Sequence, residues 1–277
     1  MSRITLSIIT VNYNNREGLK KTIESLQSQS FADYEHIIID AQSTDGSVEV
    51  IKDYAQHSSH LTYWRSEPDK GIYDGMNKGI AQAMGNGGEY LCFLNSGDCF
   101  VQDILKDIPF DGTQFLFGNA KMVYKHKERL RIPPAIPDLA YLCNHSLHHQ
   151  SCFMHRSLFE KEVYDIRYRI VADWAHSFKS LIIHLCSYRY LPFVISECDG
   201  YGLSADRKAI YEERIRWFNE QFPPILRNSF ISCAQVDDSG FRDVLPLLSK
   251  TSHFKIRMKH LVLFLYRIHS LFSKPKD

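Results

Sequence analysis

The chain carries almost no excess charge. Its 33 basic residues face 32 acidic ones, a formal net charge of +1, so it lacks the broad positive field on which nucleic-acid binding rests. No DNA- or RNA-reading motif is present either. The 7 cysteines, at 92, 99, 143, 152, 186, 198 and 233, are odd in number, irregularly spaced and without a C-x-x-C. This excludes a disulfide scaffold and predicts free, mostly buried thiols in a reducing, cytoplasmic setting. Met1-Ser2-Arg3-Ile4-Thr5-Leu6 enters a strand-like run with no signal-peptide pattern. No apolar stretch is long and clean enough for a membrane span. Nucleotide-binding glycine patterns are missing too. Val11-Asn12-Tyr13-Asn14-Asn15-Arg16-Glu17-Gly18 stands where G-x-G-x-x-G would follow a first strand, and there is no P-loop. Gly85-Asn86-Gly87-Gly88 precedes a strand and reads as a loop.

What is present is ample core material and a strong alternation. With 277 residues, 44% hydrophobic and 23% charged, the chain allows one large domain, or a domain with an appendage. Ile4–Val11 reads as a strand. Asn14 caps a helix carrying Leu19, Ile23 and Leu26, with Glu17 completing a capping box. Tyr34–Asp40, with Ile37-Ile38-Ile39, is a strand buried on both faces. Ser47 caps a helix with Val48, Ile51 and Ala55. Leu61–Trp64, a helix through Ile72, Met76, Ile80 and Ala83, and strand Glu89–Leu94 follow. This β-α-β-α-β-α-β order predicts an α/β fold: a Rossmann-like, mostly parallel sheet flanked by helices. The second half is less regular. Strands are expected at Gln114–Tyr124, His148–Met154 and Arg189–Ile195, and a Pro-rich break at Arg131–Pro137. Helices are expected at Trp174–Leu185 and at Ala205–Phe222, the latter ended by Pro223-Pro224.

Polar clusters follow three strand ends: Asn12-Tyr13-Asn14, Asp40-Ala41-Gln42-Ser43 and Asn95-Ser96-Gly97-Asp98. Those ends share one rim, where open α/β sheets bind ligands. Asp98 sits in a tight turn, where a carboxylate together with substrate phosphates suits a hard divalent cation.

Four ordered segments carry a resemblance. They are Leu6–Asn14, Ile39–Ser47, Glu67-Pro68-Asp69-Lys70-Gly71-Ile72-Tyr73-Asp74-Gly75-Met76-Asn77-Lys78-Gly79, and Phe93–Asp98. Together they resemble the family 2 glycosyltransferases, inverting enzymes of the GT-A fold, and within them the branch building bacterial surface polysaccharides, including colanic-acid-type transferases. The resemblance is strong over residues 4–100 and weak to about residue 205. It implies a GT-A domain over 1–205, with a nucleotide-binding half (1–100) and an acceptor half (101–205), and a C-terminal helical extension over 206–277. It implies that Thr10, Val11, Asn12 and Tyr13 line the base and ribose, and that Asp40 accepts from the base. Asp69, Lys70 and Gly71 would reach the ribose and pyrophosphate. Asn95, Ser96, Gly97, His149, Gln150, Gly202 and Ser204 would lie on the donor and phosphate side. Asp98 would hold Mn²⁺ or Mg²⁺, although the common D-x-D is incomplete: its first acidic position, beside Gly97, is lost, and Asn95 replaces an earlier aspartate. Asp173 would be the catalytic base, with Asp165 as fallback, and Asp45 a helix cap. Cys143, His145, Cys152 and His155 lie near the His-Gln pair, but their spacing fits no usual zinc pattern.

The implied partners are a nucleoside-diphosphate sugar, UDP-linked by first expectation, and a glycan or lipid-linked glycan acceptor. Residues 253–277 interleave basic and apolar residues. They read either as a helix lying on an anionic membrane surface at the inner face of the plasma membrane, or as a helix packed on the domain. A catalytically weak nucleotide-sugar-binding scaffold is the alternative function. A nucleotidyltransferase would need a glycine- and basic-rich first loop that this chain lacks.

Overall fold

The computed structural model describes residues 4–200 and 206–230. Gly202, Ser204 and the basic stretch 253–277 lie outside the described residues. Of those described, 4–138, 145–200 and 206–221 form one compact unit, and 139–144 and 222–230 belong to a second. The first unit therefore includes the helix that was expected to open the C-terminal extension.

The first unit is built on a nine-stranded sheet of order β3-β2-β1-β4-β8-β6-β9-β5, with β7 pairing β6. Its strands are β1 (Leu6–Asn12), β2 (Tyr34–Asp40), β3 (Leu61–Ser66), β4 (Tyr90–Phe93), β5 (Cys99–Phe100), β6 (Phe115–Tyr124), β7 (Lys127–Arg131), β8 (Cys152–His155) and β9 (Tyr188–Asp199). Strands β3, β2, β1 and β4 are parallel, as the alternation with helices requires. Helices α1 (Arg16–Gln27) and α2 (Ser47–His57) cover one face, where Leu19, Ile23, Ile38, Ile51 and Tyr54 form a buried cluster. Helix α3 (Ile72–Asn86) covers the other. It lies close to β1 because it turns glycines toward it: a Cβ on Gly75 would stand 2.9 Å from Val11 Cγ1, and one on Gly79 2.4 Å from Ile9 Cγ2.

Strand β8 runs antiparallel to β4, with Tyr90 opposite His155 and Leu91 opposite Met154. The residues before β8 therefore reach the rim where β4 ends. Beyond it, α5 (Ala172–Phe178) continues as a π-turn over Lys179–Ile183. Helix α6 (Arg207–Gln221) packs Trp217 and Phe218 edge-on against Trp174 and Phe178, with ring centroids 5.1–5.6 Å apart. In the second unit, α4 spans Leu139–Asn144 and residues 224–230 are helical. Among the described residues no helix is long and apolar enough to cross a membrane.

Local details depart from the sequence expectations for identifiable reasons. The α1 cap is Asn15, whose side chain accepts from Gly18 N. Asn14 adopts a left-handed backbone (φ 45°) and accepts from Thr44 N instead. Ser47 does not cap α2. Asp45 accepts from Ser47 N and Oγ and, through its other oxygen, from Arg16 N, so one carboxylate serves the starts of two helices. The expected strand His148–Met154 begins as a 3-10 turn at His149–Ser151 and becomes strand only at Cys152. Strand β7 was not anticipated, since all its residues are exposed.

Gly79→Ala is expected to force α3 off β1. Overpacking of this kind costs about 1–3 kcal/mol, and urea denaturation should show a lowered midpoint with an unchanged slope. An unchanged midpoint would mean that the contact is slack.

Candidate active site

The rim begins at the ends of β1 and β2. Asp40 is fully buried. Its Oδ1 accepts from Asn12 Nδ2 at 2.7 Å and Ser43 Oγ at 2.6 Å, and its Oδ2 from Ser43 N at 2.9 Å and Ser66 Oγ at 2.6 Å. The acceptor expected to face a base is thus surrounded by donors from β1, β3 and its own turn, because a buried carboxylate needs them. Thr10 is a clearer correction. It is fully buried; its hydroxyl donates to Leu94 O at 2.7 Å and lies 2.9 Å from His36 Nε2, so it braces the core and does not line the rim. Burial, and after it the nearby His60, lower the His36 pKa to about 3, so its imidazole is neutral. Val11 and Asn12 are buried and Tyr13 is 66% exposed.

Asp69 Oδ1 accepts from Gly71 N, and Lys70 N donates to Asp74 Oδ2. Gly71, at φ +119°, precedes α3. Lys70 is exposed and lines a cavity of about 490 Å³ together with Tyr73, Tyr168, Arg169 and Arg216.

The turn after β4 is held from beneath by α1. Thr22 Oγ1 accepts from Gly97 N at 3.0 Å and donates to Asp98 O at 2.8 Å, and Asn15 Nδ2 donates to Ser96 O. Gly97 takes the left-handed conformation, φ +102°, which the turn requires. Asp98 is 7% exposed. Gln150 Nε2 donates to its Oδ2 at 2.9 Å, and the backbone N–H of Asp199, at the end of β9, donates to its Oδ1 at 3.1 Å. Burial raises the Asp98 pKa above the ordinary carboxylate value, with the Gln150 hydrogen bond working the other way. Gln150 Oε1 and Asn95 Oδ1 are both buried without a partner. A buried carboxylate beside orphaned amide oxygens is a donor set that suits a hard cation.

Asp173 lies in the first turn of α5, but it is not the cap: that position is Val171, which makes no side-chain cap bond. Its Oδ2 lies 2.9 Å from His149 Nδ1, and its Oδ1 accepts from Trp174 N at 2.8 Å and from Tyr73 OH at 2.7 Å. Burial acts to raise its pKa, yet the His149, Tyr73 and Trp174 bonds outweigh it and the net shift is downward. His149 moves the opposite way: burial lowers its pKa, the Asp173 bond and charge raise it, and the result is upward. His149 Nε2 lies 3.2 Å from Asn95 Nδ2. The neutral tautomer satisfying both partners donates from Nδ1 and accepts at Nε2. One imidazole therefore connects Asp173 to the turn that carries Asp98.

The structure thus brings together Asn95, Asp98, His149, Gln150 and Asp173. Asp165 is paired with Arg167 at 2.6 Å on the surface. The sequence reading missed Tyr73, Thr22 and the Asp199 N–H. Tyr73 stands within the third motif, but only the fold places it against a residue 100 positions away.

Known proteins identify the family and the fold. The profile described as Glycosyl transferase family 2 matches residues 7–108. An uncharacterized glycosyltransferase of Mycobacterium tuberculosis (strain H37Rv) is 31% identical over 215 residues, covering 74% of this chain and 78% of that protein. A PGL/p-HBAD biosynthesis glycosyltransferase of Mycobacterium bovis BCG is 25% identical, covering 73% of this chain and 79% of its own. In fold, the chain is similar to S. aureus TarS 1–349 in complex with UDP-GlcNAc (TM-score 0.65, 16% identity, 91% of this chain and 77% of that one). It is also similar to the mannosyltransferase PcManGT of Pyrobaculum calidifontis in complex with GDP-Man and Mn²⁺ (TM-score 0.58, 14% identity, 98% and 84%). With its mixed, mostly parallel sheet and its motif-bearing rim, the chain belongs to the family 2 glycosyltransferases and has the GT-A fold.

Proposed function

We propose that the protein is an inverting, metal-dependent glycosyltransferase. It moves a sugar from a nucleoside-diphosphate sugar, UDP-linked in the first instance, to a hydroxyl of a growing bacterial polysaccharide or lipid-linked oligosaccharide at the cytoplasmic membrane face. The observation that carries this reading is Asp173, held ionised by three donors and linked through His149 to the turn of Asp98. A base must be ionised to accept a proton, and this arrangement keeps it so at neutral pH.

In the proposed reaction an acceptor hydroxyl attacks the anomeric carbon on the face opposite the leaving nucleoside diphosphate. The carbon–oxygen bond to the diphosphate breaks, the configuration inverts, and the hydroxyl proton passes to Asp173. Tyr73 and His149 hold the carboxylate in place while it does so. Asp98 would hold Mg²⁺ or Mn²⁺, which supplies Lewis-acid stabilisation of the departing diphosphate. The Asn12–Asp40–Ser43–Ser66 cluster shapes the base side. A base imide N–H would meet Asp40 by displacing one of its two hydroxyl donors, Ser43 or Ser66. Asp69, Lys70 and Gly71 close on the ribose and pyrophosphate. The relative named for PGL/p-HBAD biosynthesis and the UDP-GlcNAc-bound neighbour support glycosyl transfer from a nucleotide sugar.

Calorimetric titration of UDP, GDP and dTDP, each with and without Mn²⁺, tests the site. One nucleotide should bind more tightly with Mn²⁺, and Asp98→Ala should abolish that gain. If a folded sample binds none of the three, the site assignment falls and a scaffold role takes its place. Asp173→Asn should lower kcat by about 10³-fold, the scale of general base catalysis, and leave UDP affinity unchanged. Because the Asp173 pKa is depressed, the acid limb of the kcat/KM profile should lie below the usual carboxylate range. His149→Ala removes the hydrogen-bond donor on Oδ2, so the Asp173 pKa rises and the limb should move to higher pH. A limb that stays in place would separate His149 from the base.

A further inference from the structure

The incomplete D-x-D leaves one carboxylate, Asp98, at the turn after β4. Among the described residues, no group of three or more His, Cys, Asp or Glu side chains could hold a metal ion. Two N–H groups already occupy part of Asp98: Gln150 Nε2 on Oδ2 and Asp199 N on Oδ1. A carboxylate offers about four acceptor directions, so others remain for a cation.

The Gln150 amide is oriented by its bond to Asp98. Its Nε2 donates to Asp98 Oδ2 at 2.9 Å, and Oε1 is the end without a partner. A buried carbonyl-type oxygen left unsatisfied costs free energy unless something takes it up. Gln150 belongs to the turn before β8, not to the motif after β4. The antiparallel return of β8 beside β4 is what brings it to the rim. Asn95 Oδ1 also lacks a partner, but its amide faces His149 Nε2, which either end of the amide can meet, so its orientation carries less.

We infer that Gln150 supplies, through Oε1, an oxygen ligand to the divalent cation held at Asp98, replacing the carboxylate that the D-x-D lacks. This rests on the metal-dependent reading given above. Amide oxygens are ordinary ligands for hard cations, and the number of charged ligands tunes affinity. A neutral amide in place of a carboxylate makes a weaker site, one that forms fully when diphosphate oxygens join it.

The test is Mn²⁺ binding to the full chain in the presence of UDP, followed by the loss of the free Mn²⁺ electron paramagnetic resonance signal, with circular dichroism as the check on folding. Gln150→Leu should weaken Mn²⁺ binding by about tenfold, as loss of a group at a metal site does. Gln150→Glu discriminates between roles. It removes the N–H donor to Asp98 and sets two carboxylates side by side, so it should lower the melting temperature without metal. With UDP present it should tighten Mn²⁺ binding by about tenfold, because a charged oxygen replaces a neutral one. If folded Gln150→Glu binds Mn²⁺ no better than wild type, Gln150 is only a donor to Asp98 and the inference is overturned. If Asp98→Ala binds Mn²⁺ with UDP as well as wild type does, the metal reading itself falls, and this inference with it.

Discussion

A carboxylate removed from water must be met by hydrogen-bond donors, and at Asp173 this requirement organises the site. Its partners come from separate parts of the chain: Tyr73 from α3, His149 from the turn before β8, and Trp174 N from α5 itself. None is close to another in sequence. Each must be delivered by its own element to within hydrogen-bond distance, or the carboxylate is left unsatisfied at a cost on the order of a few kcal/mol. The geometry around Asp173 and the seating of α3 on β1 are therefore one constraint.

Sheet direction determines which residues can take part. Parallel strands β1, β2 and β4 all end at one rim, so Asn12, Asp40 and the Asp98 turn gather there. Strand β8 runs the other way, so the residues before it, not after it, arrive at the same place. Strand β9 ends beside them and offers the Asp199 N–H. A single reversal between β4 and β8 thus joins the parallel strands to the half that carries Asp173.

Much of this was legible in the sequence, and the parts that were not share physical reasons. Ile37-Ile38-Ile39 marked a strand buried on both faces, and α3 showed a clean helical period, because each signal is local. Strand β7 left no mark, since none of Lys127–Arg131 is buried. Adjacent asparagines at 14 and 15 are interchangeable on propensity, and only backbone geometry separates the cap from its neighbour. The motif positions after β1 were readable as a set, but their orientations were not. Thr10 points into the core toward His36, and its pairing with that residue depends on strand register. Asp98, Asp173, His149 and Gln150 were each named from a motif. The bonds among them were not, because they link residues 24 and 52 positions apart in sequence.

The glycines of α3 have a consequence that reaches beyond packing. Gly75 and Gly79 fix how deeply the helix seats on β1, and Tyr73, in its first turn, reaches Asp173 from that depth. The arrangement around Asp173 is thereby exposed to genetic change at positions away from it. A mutational library confined to the pocket walls would overlook them. An inhibitor designed to fit those walls would, in turn, keep its complementarity only while a backbone contact on the far side of the helix stays intact.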